Sequence, residues 1–184
     1  LRKMGRVLEA EELHKESLKI DPLYDRQPEK INHNTLLELM IDLYEAGNYA
    51  QGIALAKKWV EQQNVSRQED IYPLVYYYIA YGYQNLHRKE NTKQTNHYMT
   101  AYVTLGENAV ADGCFPHRTE DYIVLKSLAD DYYLDMVYYY LGCLLYDRRA
   151  YGEAIADYEE AALRYPDFPT VHRNLALAYY NVKK

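Results

Sequence analysis

Adjacent carboxylates occur at several places along the chain, and paired carboxylates are among the side chains that acid and base catalysis uses. Three of these pairs are Glu11-Glu12, Asp130-Asp131 and Glu159-Glu160. Neighbouring residues on a helix point about 100° apart, so the two members of a pair cannot converge on one substrate atom. We therefore interpret the pairs as parts of solvated helix faces and predict no active site from them.

The six histidines and two cysteines could serve as metal ligands or nucleophiles, but their spacing favours neither role. The sequence contains no HExxH motif, no two histidines four residues apart, and no P-loop, GxGxxG or GxSxG motif. Cys114 lies close to His117, but closeness in sequence does not give the geometry of a nucleophile and its base. We expect no enzyme activity, no metal site and no cofactor.

The bulk composition is that of an acidic, folded chain. The 184 residues are 48% hydrophobic and 26% charged, with a net charge of -6. Such a chain lacks the basic face that nucleic acid or an anionic membrane requires, and its most apolar run, residues 74–83, is about half of the roughly 20 residues needed to span a bilayer. Cys114 and Cys143 form no CxxC pair, so a reducing, cytoplasmic compartment is expected.

A recurring spacing of large and small residues organises the chain. Between residues 138 and 166 the steps are 3, 1, 3, 9, 4, 3 and 5, through Tyr138, Leu141, Gly142, Leu145, Ala154, Tyr158, Ala161 and Pro166. The first six steps recur from Leu36 to Trp59, and the opening steps recur at Tyr76 and His172. Two short antiparallel helices cannot bury their apolar faces alone, so the spacing predicts stacked helix hairpins that complete one another.

This spacing resembles the tetratricopeptide repeat (TPR) superfamily. The resemblance implies an all-α fold, a right-handed α-solenoid of TPR-type helix hairpins, with Gly142 allowing close helix approach and Pro166 ending a second helix. The expected units are a half repeat over 1–22, repeats over 33–66 and 71–106, a degenerate repeat over 107–132, a repeat over 135–168 and a half repeat over 169–184. Because each terminal repeat lacks one helix, we expect one solenoid cut from a longer chain.

The repeat count fails around residues 106–132. Residues 118–132 are predicted to form a second helix whose first helix is missing or deformed, and GENAVADGCFPHR, residues 106–118, stands in its place. Irregularities in a repeat array are where function is most often added. Two interpretations remain open. The segment brings Cys114, Phe115, Pro116 and His117 to a binding surface, or it is a hydrophobic plug in which Phe115 fills the gap.

A narrower resemblance rests on three stretches of sequence. CFPHR, YYYLGCLLYDRRAYGEAI and FPTVHRNLALAYYN are similar to segments of large bacterial proteins of unknown function, in which an aldose-mutarotase-like β-sandwich precedes TPR units. The similarity extends over residues 70–184. It implies that a missing N-terminal part handles a sugar and that this chain is its helical scaffold.

Tyrosine supplies 23 residues and phenylalanine only 2, so nearly every ring carries a hydroxyl. In the TPR superfamily the first helices line a concave groove that holds peptides. By register the groove would hold Leu37, Ile41, Tyr44, Tyr77, Tyr81, Gln84, Asn85, Met136, Tyr139, Cys143, Tyr146, Asp147, Arg173, Leu177 and Tyr180. We expect the rings of Tyr76, Tyr138 and Tyr158 in the core, and we expect partial exposure of Tyr77, Tyr81, Tyr139 and Tyr180.

These patterns together predict a protein-protein interaction scaffold. We expect a tyrosine-lined groove that binds a peptide, a partner subunit or missing domains of the same protein. The alternative is the helical part of a carbohydrate-active or carbohydrate-binding protein. Tyrosine rings suit both, because they offer flat contact area at a low cost in rotamer entropy and their hydroxyls form hydrogen bonds.

Overall fold

The computed structural model describes residues 31–63, 67–90, 93–109, 113–131 and 134–183. Within these ranges the chain forms α-helices and one 3-10 helix, Gln68–Asp70, and no β-strand. The prediction of an all-α fold is therefore confirmed. The half repeat expected over residues 1–22 lies outside the described residues.

The described residues fold into eight α-helices. They are α1 (His33–Glu45), α2 (Tyr49–Gln62), α3 (Pro73–Glu90), α4 (Lys93–Asn108), α5 (Thr119–Asp131), α6 (Asp135–Asp147), α7 (Tyr151–Arg164) and α8 (Pro169–Val182). Local signals begin several of them. The Asn32 side chain accepts a hydrogen bond from the Thr35 N–H and caps α1, while proline is the first residue of α3 and of α8.

The turns that join α1 to α2 and α6 to α7 have the same hydrogen-bond pattern. Each has a residue with positive φ at its centre, Gly47 at 76° and Arg149 at 62°. In both turns the N–H of this residue donates to the carbonyl of a tyrosine three residues earlier, Tyr44 or Tyr146. Equivalent positions thus recur with equivalent geometry, three repeat lengths apart along the chain.

Helices that are neighbours in sequence pack together along most of the chain. In addition, α1 contacts α3 and α6 contacts α8, so first helices of successive hairpins also meet. Helix α5 departs from this pattern, because it packs mainly against α3 and α6. Residues 119–131 are helical, as expected, but α5 lies against the side of α3 that carries Gln84, a residue predicted to face the groove.

The close approach of α6 and α7 depends on Gly142. A Cβ atom added there would lie 2.6 Å from Cδ1 and 3.0 Å from Cγ of Tyr158, whose ring is fully buried. Both atoms belong to the part of the ring nearest its own backbone, which cannot swing away. The predicted role of Gly142 in this helix pair is therefore confirmed by the packing.

Gly142→Ala should destabilise the fold by about 1 to 3 kcal/mol, because overpacking outweighs the better helix propensity of alanine. The matched control is Gly152→Ala in α7, where an added Cβ would meet nothing within 4 Å. That variant should be unchanged or up to about 1 kcal/mol more stable. Urea denaturation measures the free energy of unfolding of both variants. Equal effects of the two substitutions would contradict the close approach.

A half-buried carboxylate on α7 makes stability depend on pH. Burial raises the pKa of Asp157 to about 6, the Lys126 ammonium lowers it, and the Glu153 carboxylate raises it. The folded chain therefore holds this proton more tightly than the unfolded chain does. Folding stability should fall as pH rises from about 4 to about 6, because the buried charge forms in that window.

Asp157→Asn should consequently raise the free energy of unfolding at pH 7 by about 1 kcal/mol, after solvent screening of a partly exposed group is taken into account. The gain should disappear near pH 3.5, where Asp157 is protonated and also neutral. Urea denaturation of both proteins across this pH range measures the difference. A gain of the same size at both ends of the range would contradict this assignment.

Candidate functional site

Two cavities gather most of the residues that were predicted to line a groove, and they share no lining residue. The larger one, called the cleft below, has a volume of about 540 Å³ and is lined by Phe115, Pro116, His117, Tyr139, Cys143, Tyr146, Asp147, Tyr158, Arg173, Asn174 and Leu177. The smaller one, called the pocket, has a volume of about 270 Å³ and is lined by Ile41, Tyr44, Glu45, Tyr49, Tyr78, Tyr81, Glu120, Ile123 and Val124.

One wall of the cleft is the strap, residues 113–118, which precedes α5. Asp121 in the first turn of α5 holds it in place, since its Oδ2 accepts hydrogen bonds from the N–H groups of His117 at 3.0 Å and Arg118 at 2.9 Å. The other carboxylate oxygen, Oδ1, accepts from the Tyr78 hydroxyl at 2.8 Å. A completely buried carboxylate thus joins the strap to α3.

Arg118 extends this anchoring to α1. One terminal nitrogen of its guanidinium donates to Oδ1 of Asn34 at 3.2 Å, and the other lies 3.8 Å from the Asp121 carboxylate. On the other side of the strap, the Phe115 N–H donates to the Tyr72 hydroxyl at 3.3 Å. Backbone and side-chain bonds therefore hold the strap across three helical segments.

The interpretation of Phe115 as a hydrophobic plug is wrong. Its side chain is 72% exposed at the cleft, whereas the neighbouring Cys114 is 2% exposed and packs into the core. Side chains alternate between inside and outside along this extended stretch, so one residue of register decides which of the two is buried. His117 is exposed and Pro116 is buried, and both line the cleft.

The cleft combines apolar surface with charges of both signs. Phe115 and Leu177 expose apolar area, while Asp147 and Arg173 expose a carboxylate and a guanidinium. Burial raises the pKa of Tyr139, and the positive charge of Arg173 acts in the opposite direction, so its field reaches the floor of the cleft. This arrangement can hold an apolar group between two opposite charges.

The cysteine thiols do not have the properties of nucleophiles. Burial raises the pKa of Cys114 to about 12 and also raises the pKa of Cys143. Both therefore stay protonated at neutral pH, while the thiolate is the reactive form. Neither forms a disulfide.

The structure places the predicted groove residues in three groups. The cleft brings together Tyr139, Cys143, Tyr146, Asp147, Arg173 and Leu177, and the pocket brings together Ile41, Tyr44 and Tyr81. Tyr180 is exposed on α8 but does not line either cavity, and the amide of Asn85 donates to the Tyr81 carbonyl. Buried instead are Leu37, Tyr77, Gln84 and Met136.

The expectation of exposure fails for two tyrosines. Tyr77 has no exposed surface, and its hydroxyl donates to Oε1 of Glu107 at 2.8 Å. Tyr139 is buried as well, with an edge against Phe168 at a centroid distance of 4.9 Å. Tyr81 is half-buried and Tyr180 exposed, as expected.

Three tyrosine rings were expected in the core, and two of them are buried there. Tyr76 and Tyr158 are fully buried. Tyr138 is only half-buried, and the Arg164 guanidinium covers its ring at 4.9 Å from the centroid. The repeat spacing identifies the helix positions correctly, but the long Arg164 side chain, and not the core, covers one face of the Tyr138 ring.

Two carboxylates hold elements around this site in place, the fully buried Asp121 and the half-buried Glu107, and the sequence patterns do not predict either role. The second carboxylate oxygen of Glu107 accepts from the N–H groups of Asp135 and Met136, so it caps α6 from the end of α4. Burial raises the pKa of Glu107, and these hydrogen bonds lower it. For Asp121 a local signal exists, since an acid in the first turn of a helix often bonds the preceding N–H groups.

Comparisons with protein-family models, with curated proteins and with solved structures gave no match. Among the described residues, no three His, Cys, Asp or Glu side chains are grouped so that they could hold a metal ion. In the same part of the chain, each helix is too short or too polar to cross a membrane. The geometry of the cleft and the pocket is thus the basis for assigning a function.

Tyr77 and Tyr140 form a matched pair for testing what tyrosine hydroxyls contribute. Both rings are fully buried, with centroids 6.0 Å apart. The hydroxyl of Tyr77 is bonded to Glu107, whereas that of Tyr140 has no hydrogen-bond partner of normal geometry among the described residues. The Cys114 thiol near Tyr140 contributes to its raised pKa, after burial, but a thiol is a weak partner, so we count this hydroxyl as unsatisfied.

Tyr77→Phe should destabilise the fold by about 1.5 to 3 kcal/mol, because it removes a hydrogen bond between a buried hydroxyl and a half-buried carboxylate. Tyr140→Phe should leave stability unchanged or raise it by up to about 1 kcal/mol, because it removes an unsatisfied buried hydroxyl. Thermal and urea denaturation measure the stability of both variants. Similar losses of stability in the two variants would show that the hydrogen bond to Glu107 does not stabilise the fold.

Proposed function

We propose that this chain is a TPR-like right-handed α-solenoid that acts in the cytoplasm as a non-enzymatic binding scaffold. Three features support the fold. The α1–α2 and α6–α7 turns share one geometry, first helices contact one another, and the Tyr44 hydroxyl donates to the Tyr78 carbonyl at 2.9 Å, 34 residues further along the chain. The raised pKa values of both thiols argue against a cysteine nucleophile, which supports a binding role.

The cleft is the proposed binding site, and its open apolar surface is the observation that carries the proposal. Phe115 is held in an exposed position by backbone bonds of the strap, opposite Leu177 of α8, which is 46% exposed. Large apolar side chains that are fixed at the rim of a cavity are typical of protein recognition sites. A volume of about 540 Å³ is within the range of ligand pockets.

We take the occupant to be an extended peptide segment of a partner protein. One large apolar side chain of the peptide would lie between Phe115 and Leu177. Residues on either side of it would pair with the exposed guanidinium of Arg173 and the exposed carboxylate of Asp147. Opposite charges at the two ends of an apolar site fix the direction in which a peptide binds, because the reversed peptide meets like charges.

A sugar is the second candidate, and Phe115 is the observation in its favour. Its ring is exposed over most of its surface, and flat aromatic faces are suited to the apolar faces of sugars. The hydroxyl of Tyr146 already accepts a hydrogen bond from the Asn181 amide at 2.7 Å. Fewer polar groups of the cleft therefore remain for sugar hydroxyls, and we rank this candidate below the peptide.

Selection from a random peptide library displayed on phage tests the proposal with defined ligands. Peptides that bind the chain should share one large apolar residue with an acidic and a basic neighbour. Leu177→Ala should weaken binding of a selected synthetic peptide about tenfold, as expected for an anchor at the centre of a site. Isothermal titration calorimetry measures the dissociation constants.

Leu163→Ala is the matched control, because Leu163 is an exposed leucine on α7 that does not line the cleft. It should leave the dissociation constant unchanged. Equal weakening by both substitutions, or a set of selected peptides without a common apolar residue, would refute the peptide site. Binding of an oligosaccharide from a glycan array, lost in Phe115→Ala, would favour the second candidate instead.

A further inference from the structure

The pocket has aromatic walls built from three tyrosine rings. The centroid of the Tyr44 ring lies 5.1 Å from that of Tyr49 and 6.1 Å from that of Tyr81, and both pairs are tilted, at 39° and 49°. Rings at these distances are in direct contact, so the three tyrosines form one aromatic cluster that lines the pocket. The pocket is lined by residues of α1, α2, α3 and α5, whereas the cleft is lined by the strap, α6, α7 and α8.

The position of the Tyr44 ring is fixed by its surroundings. Its hydroxyl donates to the Tyr78 carbonyl, and two glycines make room for the ring, because a Cβ atom at Gly52 or Gly82 would collide with it. Burial raises the pKa of Tyr44 well above its usual value, so the ring is neutral at every physiological pH. The floor of the pocket is thus a neutral, immobile aromatic surface.

The charged side chains around the pocket are both acidic. Glu45 and Glu120 are among the lining residues, and no lysine, arginine or histidine is. Neither glutamate forms an ion pair or a hydrogen bond with the described residues. Two carboxylates therefore line the pocket, while the Arg118 guanidinium, whose charge acts on Tyr78, is not among the lining residues.

A ring face attracts cations because its quadrupole is negative above and below the ring plane. Several ring faces around one cavity, with carboxylates at its rim, are the arrangement that recognises alkylated ammonium groups. We propose that the pocket binds the head of a quaternary or methylated amine. A volume of about 270 Å³ suits such a compact group, whereas it is small for an extended peptide.

A compact amine of this kind has two sources with the same chemistry. It can be a free small molecule that carries a trimethylammonium head, or a trimethylated lysine side chain of another protein. Both present a soft, weakly hydrated cation with a methyl surface. An unmodified lysine ammonium is more strongly hydrated, so we expect weaker binding of that group.

Choline is the first probe, and 3,3-dimethyl-1-butanol is its neutral counterpart of the same shape. Titration of the full 184-residue chain, followed by NMR shifts of the tyrosine ring protons, measures the two dissociation constants. Choline should bind saturably and at least tenfold more tightly than the neutral alcohol. Equal binding of both would mean an apolar cavity without cation recognition, and no binding of choline to the folded chain would overturn the proposal.

Substitutions separate the contributions of charge and ring. Glu120→Gln removes one carboxylate and should weaken choline binding several-fold. Tyr81→Phe keeps the ring face and should preserve binding, whereas Tyr81→Leu keeps an apolar side chain but removes the ring and should weaken binding about tenfold. Circular dichroism and the melting temperature show whether Tyr81→Leu is folded. A loss of binding in the folded variant can then be assigned to the missing ring. Equal binding by all three variants would overturn the proposal.

A second comparison identifies the source of the amine. Trimethyllysine and unmodified lysine peptides of one sequence, titrated in the same way, show whether a side chain can enter the pocket. Tight binding of choline together with exclusion of both peptides assigns a free small molecule. Tyr180→Leu, which alters an exposed tyrosine of α8 outside both cavities, should change none of these constants. Loss of choline binding in Tyr180→Leu would place the amine elsewhere and contradict the proposal.

Discussion

The structure depends on the burial of the Asp121 carboxylate. A charged group without exposed surface is stable only when donors surround it, since desolvation of an unpaired carboxylate costs several kcal/mol. The donors are two N–H groups of the strap and the Tyr78 hydroxyl of α3, and the Arg118 guanidinium adds a positive charge 3.8 Å away. These bonds fix α5 against α3 and hold the strap at the edge of the cleft. The strap lines the cleft and α5 lines the pocket, so this anchor supports one wall of each cavity.

The need to satisfy buried polar groups also explains why tyrosine is abundant. Three consecutive tyrosines of α3, residues 76–78, point in directions about 100° apart, so they cannot share one environment. Their hydroxyls reach the Gln68 carbonyl, the Glu107 carboxylate and the Asp121 carboxylate. A tyrosine fills core volume as phenylalanine does and also satisfies a polar group across a helix interface. Among the tyrosines that the sequence suggests for a ligand, Tyr44, Tyr77 and Tyr146 use their hydroxyls in hydrogen bonds within the fold.

The sequence predicts local features of this fold and fails where contacts are distant along the chain. The steps from Tyr138 to Pro166 place α6 and α7 correctly, because the spacing of a helix hairpin lies within one stretch of sequence. Tyr77 was assigned to the groove by register alone, yet its partner Glu107 is 30 residues away. The position of α5 on α3 is equally hard to predict from the sequence, because it depends on hydrogen bonds between Gln84 and Ser127, which are 43 residues apart. Register defines a face of a helix, but it does not say what covers that face.

Helix α5 changes what a regular array of hairpins would offer. A uniform stack presents one continuous surface along its first helices, whereas α5 occupies part of that surface next to α1 and α3. Two cavities with different charge result. The cleft balances Asp147 against Arg173, while the pocket has only Glu45 and Glu120. Charge decides which ligands a site rejects, so the two proposed sites differ in the ligands that their charges favour. The irregular part of the chain contributes to both differences, because the strap lines the cleft and α5 lines the pocket.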